Sequence, residues 1–426
     1  MIWIYRLLFL PIFAVLLLKN LPKILKRGGY GIDWRHRFGF FPRLPGMEKK
    51  RLWIQAVSVG EVNAIARLVA LLGKNYEIIL TTTTTTARKI IAEKLAKNVL
   101  FHGYFPWDFW LFSWIAWNRV RPDAVIFVEN ELWPEHIGQA KRRKVPIFLV
   151  NARLSDRSFR RYRKFPRLAR WIFEKIDFII ASSEQNREKI ATFYGKTIEY
   201  FGNMKFDLPE RLLLSEARKN LKKELGFPEH SFVLLGCSTW PGEEAMLLEA
   251  FRKIKTEKNQ HSGRDYNLLL VPRHAERREE LVRWLKRENI SFWQRSQGIA
   301  ERQFPICLAD TTGELPQLVQ VADLAYIGKS LAPHMGGQSP LDAAMAGIPI
   351  IYGNRMTNFR DICTQLEQEN AAIKVESEQE AIGAIIQLTE NAEKRQNLSN
   401  NIRNWFEKNR GASVKTCDLI REKIIG

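Results

Sequence analysis

Short apolar runs separated by amphipathic stretches recur along most of this 426-residue chain. Short apolar runs are typical of buried strands, and apolar residues spaced three and four positions apart are typical of helices. In the first half, the pattern predicts strands at residues 52–59, 77–80, 124–128, 147–150 and 178–181, and helices at 62–72 and 87–95. Such alternation indicates a doubly wound parallel sheet.

The same alternation starts again in the second half of the chain. It predicts strands at residues 232–236, 267–271, 324–327 and 348–352, and helices at 243–255, 277–287, 315–321 and 342–346. Between the halves, residues 202–209 carry Gly, Asn, Asp and Pro, which are typical of a domain boundary. The chain is long enough, with 46% hydrophobic residues, to bury two cores. We therefore predict two Rossmann-like α/β domains that face a cleft, with any ligand at the carboxyl ends of their strands.

A run of six threonines, residues 81–86, is the only stretch of low complexity. A strand end that passes into a helix N-cap explains it, because β-branched residues favour strands and threonine caps helices. A role in ligand binding is the less favoured alternative.

Positive charge is concentrated in two places. The net charge is +20, residues 1–51 hold eleven Lys/Arg against two acids, and residues 153–170 hold eight against one. The first cluster flanks an apolar run at residues 7–18, which is too short to span a bilayer alone but reaches a marginal span when counted from Met1. A cleaved signal peptide is the alternative, but basic residues rather than a cleavage site follow the run. We therefore predict a retained membrane anchor with its basic side on an anionic membrane surface.

Cysteine spacing argues against metal or disulfide frameworks. The four cysteines lie far apart, with no C-x-x-C pair. We expect neither a zinc site nor disulfides, which fits a reducing cytoplasmic setting.

A glycine-rich turn at residues 335–342 precedes a predicted helix. Ser339 is placed to cap that helix, Pro340 suits its first position, and Asp342 completes a Ser-x-x-Asp capping box. Gly336 and Gly337 then lie where backbone N–H groups meet an anion, which predicts a nucleotide-phosphate site. The alternative is an ordinary helix cap, because glycine turns are common in α/β proteins.

Three polar residues follow structural breaks in the first half. Glu61 follows a strand and a glycine at a predicted helix start, where it can either cap the helix or act as a general base. Glu131 forms, with Glu129, a pair of carboxylates between the end of the strand at 124–128 and a Trp-Pro break, which solvation alone does not explain. Lys205, at the domain boundary, can hold a carboxylate or phosphate, or pair with Asp207.

The second half adds polar groups at strand ends. Arg273 ends a strand with the planar guanidinium that phosphate recognition favours. Gly313 and Glu314 precede the helix at 315–321, and Glu314 suits either ribose hydroxyls or the first helical turn. We expect these residues on the same rim as Gly336, Gly337 and Asp342.

The motifs VSVGE, ENELWP, NARLSDRSFRRYRKF, GNMKFD, VPRH, TTGE and GGQSPLDAA, in this order, resemble the 3-deoxy-D-manno-octulosonic acid (Kdo) transferase family along nearly the whole chain. The resemblance implies a GT-B fold and an inverting transfer of Kdo from CMP-Kdo to a lipid A precursor. It implies that Glu61 is the general base and that Glu131 and Lys205 stabilise the transition state. It further implies that the CMP site is lined by Pro272, Arg273, Thr312, Gly313, Glu314, Ser339, Pro340, Leu341 and Asp342.

The resemblance also implies partners and location. The donor is a substrate, so no cofactor and no metal are expected, and nucleic acid is not an expected partner. The expected location is the cytoplasmic face of the cell inner membrane. The implied division is an anchor with its basic flank at residues 1–35, an acceptor domain at 36–207 and a CMP-sugar domain at 208–426.

Several positions depart from the family pattern. GGHNPLE reads GGQSPLD here, MGE reads TGE, and Trp240 stands where a histidine is expected. These departures leave the donor sugar and the acceptor open. A GT-B enzyme that uses a UDP-linked sugar, as a transferase or an epimerase, and a non-catalytic protein that binds anionic lipid are the alternatives.

Overall fold

The computed structural model describes residues 31–207, 212–258 and 265–425, together with Ile2, Trp3, Tyr5, Arg6, Leu7, Phe9 and Pro11. Most of the predicted anchor run at residues 7–18 lies outside the described residues. Among those that are described, no helix is both long and apolar enough to cross a membrane. The chain forms two compact units, one of Met1–Pro209 with Asn409–Gly426 and the other of Glu210–Lys408.

The first unit contains a seven-stranded parallel sheet in the order β3-β2-β1-β4-β5-β6-β7. Its strands are β1 (Arg51–Gln55), β2 (Glu77–Thr82), β3 (Phe101–Tyr104), β4 (Ala124–Val128), β5 (Ile147–Ala152), β6 (Phe178–Ala181) and β7 (Ile198–Tyr200). The central strands β1 and β4 are buried along their whole length, as expected when helices cover both faces of a parallel sheet.

Helices cover both faces of this first sheet. They are α1 (Val59–Ala64), α2 (Ala66–Leu72), α3 (Thr85–Lys94), α4 (Trp110–Val120), α5 (Pro134–Arg142), α6 (Asp156–Lys164), α7 (Pro166–Phe173) and α8 (Glu184–Ala191). One core cluster centres on Trp53 and Trp117, and the other on Leu68 and Ile126. The threonine run behaves as predicted, because Thr84 caps α3 by accepting a hydrogen bond from the backbone N–H of Ala87.

The second unit repeats the architecture with the strand order β10-β11-β9-β8-β12-β13-β14. Its strands are β8 (Phe232–Thr239), β9 (Tyr266–Pro272), β10 (Phe292–Gln294), β11 (Ile306–Leu308), β12 (Leu324–Ile327), β13 (Ile350–Gly353) and β14 (Ile373–Val375). Its helices are α9 (Ser215–Glu224), α10 (Glu243–Lys258), α11 (Arg278–Arg287), α12 (Leu315–Leu318), α13 (Leu341–Met345), α14 (Arg360–Gln368), α15 (Glu378–Glu390) and α16 (Ala392–Lys408).

The last helix, α17 (Ala412–Ile425), packs with the first unit, a return that the sequence pattern does not predict. The buried carboxylate of Asp207 accepts hydrogen bonds from the backbone N–H groups of Gly411, at 2.6 Å, and Ser413, at 2.5 Å. Cys417 and Ile420 join the core cluster around Leu68. Asp207 therefore holds the start of α17. It does not pair with Lys205, which was the alternative that the sequence left open, because Lys205 forms its ion pair with Glu129.

The predicted fold class is confirmed, since both sheets are parallel and doubly wound. Each of the nine predicted strands overlaps an observed one. The first of them ends earlier than predicted, at Gln55, because α1 begins at Val59 and already contains Glu61.

Candidate active site

Glu61 lies in the first turn of α1, just after the carboxyl end of β1. Ser58 is the N-cap, and its hydroxyl accepts a hydrogen bond from the backbone N–H of Glu61. In return, the Glu61 carboxylate accepts hydrogen bonds from the backbone N–H of Val57, at 2.8 Å, and from the Ser58 hydroxyl, at 2.9 Å. This reciprocal arrangement is a variant of the capping box, in which the glutamate accepts from the N–H of the residue before the N-cap. The capping role that the sequence suggested for Glu61 is therefore present.

The Glu61 side chain is nearly buried, with 9% of the residue exposed. Burial raises the pKa of its carboxyl group, and the nearby charge of Glu129 raises it further, whereas the hydrogen bonds from Val57 and Ser58 lower it. A carboxylate whose orientation is fixed and whose proton affinity is increased has the properties of a general base.

Glu129 and Lys205 form an ion pair at the carboxyl end of β4. Lys205 Nζ lies 2.8 Å from a carboxylate oxygen of Glu129. Glu129 has a φ of +56°, which is an unfavourable backbone conformation for a residue with a side chain. Such strained residues concentrate at functional sites. The Lys205 charge lowers the pKa of Glu61, so this pair and Glu61 belong to one electrostatic cluster.

The turn that carries Lys205 is fixed by two asparagines. Lys205 lies in a short 3-10 helix, Met204–Phe206, and the Asn203 side chain accepts a hydrogen bond from the Lys205 backbone N–H at 3.0 Å. Asn151, at the end of β5, accepts one from the Met204 N–H, also at 3.0 Å. The lysine is thus held beside the ends of the central strands although it is distant in the chain.

Glu131 is the most strongly perturbed carboxyl group of the cluster. Burial and, to a smaller extent, the charge of Glu61 raise its pKa to about 8. The hydrogen bond that Trp133 Nε1 donates at 2.8 Å lowers the pKa and so offsets part of this increase. Glu61, Glu131 and Lys205 therefore belong to one electrostatic cluster near the ends of the adjacent strands β1 and β4. A cluster of carboxylates with one cation can take up a proton and stabilise a developing positive charge.

In the second unit, the glycine-rich turn differs from the prediction. Gly336 and Gly337 have φ values of +115° and +72°, which only glycine adopts readily. Their backbone N–H groups, however, donate to the carbonyl oxygens of Arg355, at 2.9 Å, and Lys329, at 3.0 Å. The expectation that these two N–H groups meet an anion is therefore wrong, because the protein backbone already accepts from both.

The predicted capping box at this turn is also wrong. The Gln338 N–H donates to the Gly328 carbonyl, so the turn stays tied to the end of β12, and α13 begins only at Leu341. Pro340 consequently occupies the N-cap position, and the Ser339 hydroxyl accepts from the Leu341 N–H at 3.3 Å. Asp342 lies in the first turn, where burial raises the pKa of its carboxyl group.

The remaining predicted residues follow the carboxyl ends of β9 and β11. Pro272 ends β9, and Arg273 is exposed, with its backbone N–H donating to the Thr239 carbonyl at 3.1 Å. Thr312 and Gly313 are exposed. Glu314 forms an ion pair with Arg295 at 3.2 Å and accepts a hydrogen bond from the Thr311 hydroxyl. Strands β11, β9, β8 and β12 are neighbours, so these loops share one edge of the second sheet.

Neither cysteines nor clustered ligands indicate a metal centre in the described part of the chain. All four cysteines are buried free thiols. Among the described residues, no group of three or more His, Cys, Asp or Glu is placed to hold a metal ion.

Sequence reasoning missed three residues that shape the first-unit site, Ser58, Trp133 and Asn151, and it assigned no role to Glu129 beyond membership of a carboxylate pair. Ser58 was readable in advance, because Ser-x-x-Glu is the capping-box pattern. Trp133 and Glu129 stand in the motif already noted, but nothing in it shows which side chain they contact. The hydrogen bond from Met204 to Asn151 is a tertiary contact without a local signal.

Comparison with known proteins identifies the family to which this chain belongs. Residues 33–208 match the family model described as 3-Deoxy-D-manno-octulosonic-acid transferase (kdotransferase). The 3-deoxy-D-manno-octulosonic acid transferase of Haemophilus influenzae is 31% identical over 397 residues, which cover 90% of each chain. The enzyme of the same name from Bordetella pertussis is 28% identical over 387 residues, which cover 89% of each chain.

Solved structures support the fold. The UDP-GlcNAc 2-epimerase from Neisseria meningitidis, bound to UDP-GlcNAc, is similar with a TM-score of 0.59 and 14% identity, over 87% of this chain and 100% of the other. At this identity the similarity shows the fold alone. The expected GT-B fold is thereby confirmed.

Proposed function

Because the chain belongs to the Kdo transferase family, we propose that it moves Kdo from CMP-Kdo to a lipid A precursor, with inversion at the anomeric carbon. Glycosyl transfer of Kdo is the activity of the family. The observation that carries the finer proposal is the cluster of Glu61, Glu129, Glu131 and Lys205 at the ends of β1 and β4. A protein that only bound lipid would not require carboxyl groups with raised pKa values in such a cluster.

In this proposal Glu61 is the general base. Its carboxylate takes the proton from the attacking hydroxyl of the acceptor while that oxygen bonds to the anomeric carbon of Kdo. The bond from the same carbon to the CMP phosphate oxygen breaks, and CMP leaves from the opposite face. The hydrogen bonds from Val57 and Ser58 keep the carboxylate oriented throughout.

Glu131 and Lys205 stabilise the charges that develop during transfer. Departure of CMP leaves an oxocarbenium-like carbon, which the ionised Glu131 carboxylate stabilises electrostatically. Lys205 offsets the charge of Glu129, so that the cluster does not hold three uncompensated carboxylates. The exposed Arg273, Pro272 before it and the loop at Thr312, Gly313 and Glu314 are proposed to bind the nucleotide, together with the residues from Ser339 to Asp342.

We also propose that the protein works on the cytoplasmic face of the inner membrane, where a lipid acceptor resides. Helices α6 and α7 carry most of the second basic cluster. Phe165, between the two helices, is 62% exposed, and Leu168, in α7, is 51% exposed. Exposed apolar side chains among basic ones are typical of a segment that lies on an anionic membrane surface. Co-sedimentation with anionic vesicles tests this, and equal sedimentation after Phe165→Ser and Leu168→Ser would remove these helices from the contact.

A direct assay of transfer tests the proposed reaction. The purified full chain is incubated with CMP-Kdo and a lipid A precursor, and the lipid product is weighed by mass spectrometry. The proposal predicts a mass gain of one or more Kdo residues and release of CMP. A lipid that gains no Kdo, while a UDP-sugar is turned over instead, would contradict it.

A further inference from the structure

Four side chains outside the predicted site converge at the switch point of the second sheet. The sheet order reverses at β8, whose neighbours are β9 on one side and β12 on the other. In doubly wound sheets, ligands bind at the carboxyl ends of the strands at this reversal. Trp240 follows β8, His274 follows β9, and Lys329 and His334 follow β12.

These four residues form a basic cluster around one indole ring. Lys329 Nζ lies 4.2 Å from the ring centroid of Trp240, a cation–π contact. The His274 and His334 rings lie 5.3 Å and 5.5 Å from the same ring, centroid to centroid. The Lys329 ammonium and two imidazole rings therefore surround Trp240, and a bound anion would offset the charge of the lysine.

The cluster also contains one N–H group without an acceptor in the described part of the chain and one that the backbone already occupies. Trp240 Nε1 is buried and has no hydrogen-bond partner among the described residues. His334 Nε2 lies 2.8 Å from the Pro241 carbonyl oxygen and must therefore donate to it.

A buried carboxylate holds this arrangement rigidly. Glu243, which is 5% exposed, accepts hydrogen bonds from the backbone N–H groups of Trp240, at 2.8 Å, Lys329, at 2.9 Å, and Ser330, at 3.3 Å. Lys329 has a φ of +61°, an unfavourable conformation for lysine. A Cβ on the preceding Gly328 would lie only 2.4 Å from the Ser238 carbonyl oxygen. Fixed, strained positions of this kind are typical of binding sites.

We propose that Trp240, His274, Lys329 and His334 form an oxyanion subsite that takes the carboxylate of an acidic sugar donor. This inference rests on the proposed function, and it gives the departure at Trp240 a role in donor recognition. A nucleotide phosphate presents a similar oxyanion, so the test separates the two sources. The Lys329 ammonium and the indole N–H supply donors suited to either.

Binding of three probes to the full-length protein, measured by calorimetry, tests the subsite. The probes are CMP-Kdo, its carboxamide analogue and CMP. Wild type is expected to prefer CMP-Kdo over the carboxamide, and Lys329→Gln to weaken CMP-Kdo binding about tenfold, because a hydrogen bond to a charged group has that magnitude. CMP and the carboxamide should change less than about twofold, within the variation of weak contacts. Lys329→Arg, unlike Lys329→Gln, should keep most of the preference for CMP-Kdo over the carboxamide, because the cation is retained.

Lys253→Gln is the matched control, since Lys253 is an exposed lysine of α10 that pairs with Glu249. Equal weakening of all three probes by Lys329→Gln would assign the subsite to the phosphate and overturn the carboxylate proposal. Absence of a carboxylate preference in wild type, even with active transfer, would overturn it as well. A carboxylate preference without Kdo transfer would contradict the proposed function and support the subsite.

Discussion

The hydrogen bond from Trp133 to Glu131 offers a direct way to shift the pH dependence of the reaction. Trp133 Nε1 donates to the Glu131 carboxylate at 2.8 Å, and this bond favours the ionised form of a group whose pKa burial raises to about 8. Trp133→Phe removes the donor and keeps an aromatic ring beside Phe105, its neighbour at 5.3 Å. The pKa of Glu131 should therefore rise further.

The size of the shift follows from the strength of that bond. A hydrogen bond to a charged group contributes about 1.5–3 kcal/mol, and 1.36 kcal/mol corresponds to one pKa unit. Glu131 retains some contact with solvent, so the lower end applies and the expected shift is about one unit. The proposed mechanism uses ionised Glu131, so activity increases as pH rises through this pKa.

The assay is the pH dependence of kcat/KM for Kdo transfer, which reports the groups of the free enzyme. Wild type should show an acid limb near pH 8, the pKa of Glu131. The limb of Trp133→Phe should lie about one unit higher, with a similar plateau above it. Trp114→Phe, at an exposed tryptophan of α4, is the control. A limb that stays in place or moves to lower pH, in a variant with unchanged thermal unfolding, would refute the reasoning.

Two further predictions concern ion pairs of the first unit. Arg6→Met leaves the fully buried Glu135 carboxylate without its cation, and should destabilise the protein by about 3 kcal/mol in thermal unfolding. Adding Glu135→Gln should recover most of this loss, and a single variant as stable as wild type would contradict it. Lys205→Met should lower the transfer rate about 10²-fold while donor binding, measured by calorimetry, is unchanged. Activity recovered by adding Glu129→Gln would show that Lys205 acts only by compensating that carboxylate, and an unchanged rate in the single variant would exclude a catalytic role.

The sequence predicted the fold where the signal is local. Long apolar runs such as those of β4 and β8 are strands in both prediction and structure. Five strands of three or four residues escaped the prediction: β3, β7, β10, β11 and β14. Runs that short show no period of their own and become strands only by pairing with a neighbour. The return of α17 escaped for the same reason, since it depends on the contact between Asp207 and a distant segment.

In the candidate site, too, the predictions succeeded where the signal is local and failed where it depends on tertiary contacts. Glu61 was placed correctly because strand, turn and helix start follow one another in the sequence. The pairing of Lys205 with Glu129 was not foreseen, because only the tertiary fold brings these two residues within 2.8 Å. The glycines of the turn at Gly336 and Gly337 were identified, but their composition does not reveal that backbone carbonyls already occupy their N–H groups. Sequence thus indicates which residues carry chemistry more readily than it indicates their partners.

The most direct test of the central claim is the rate of Kdo transfer by Glu61→Gln in a single turnover. Through its amide oxygen, glutamine can still accept the hydrogen bond from the Val57 N–H, and its amide nitrogen can donate to the Ser58 hydroxyl oxygen, so the fold and donor binding should be preserved. Loss of the general base should lower the rate by about 10²–10⁴-fold. A variant that still transfers Kdo within about tenfold of wild type, well short of a general base's contribution, would contradict the account.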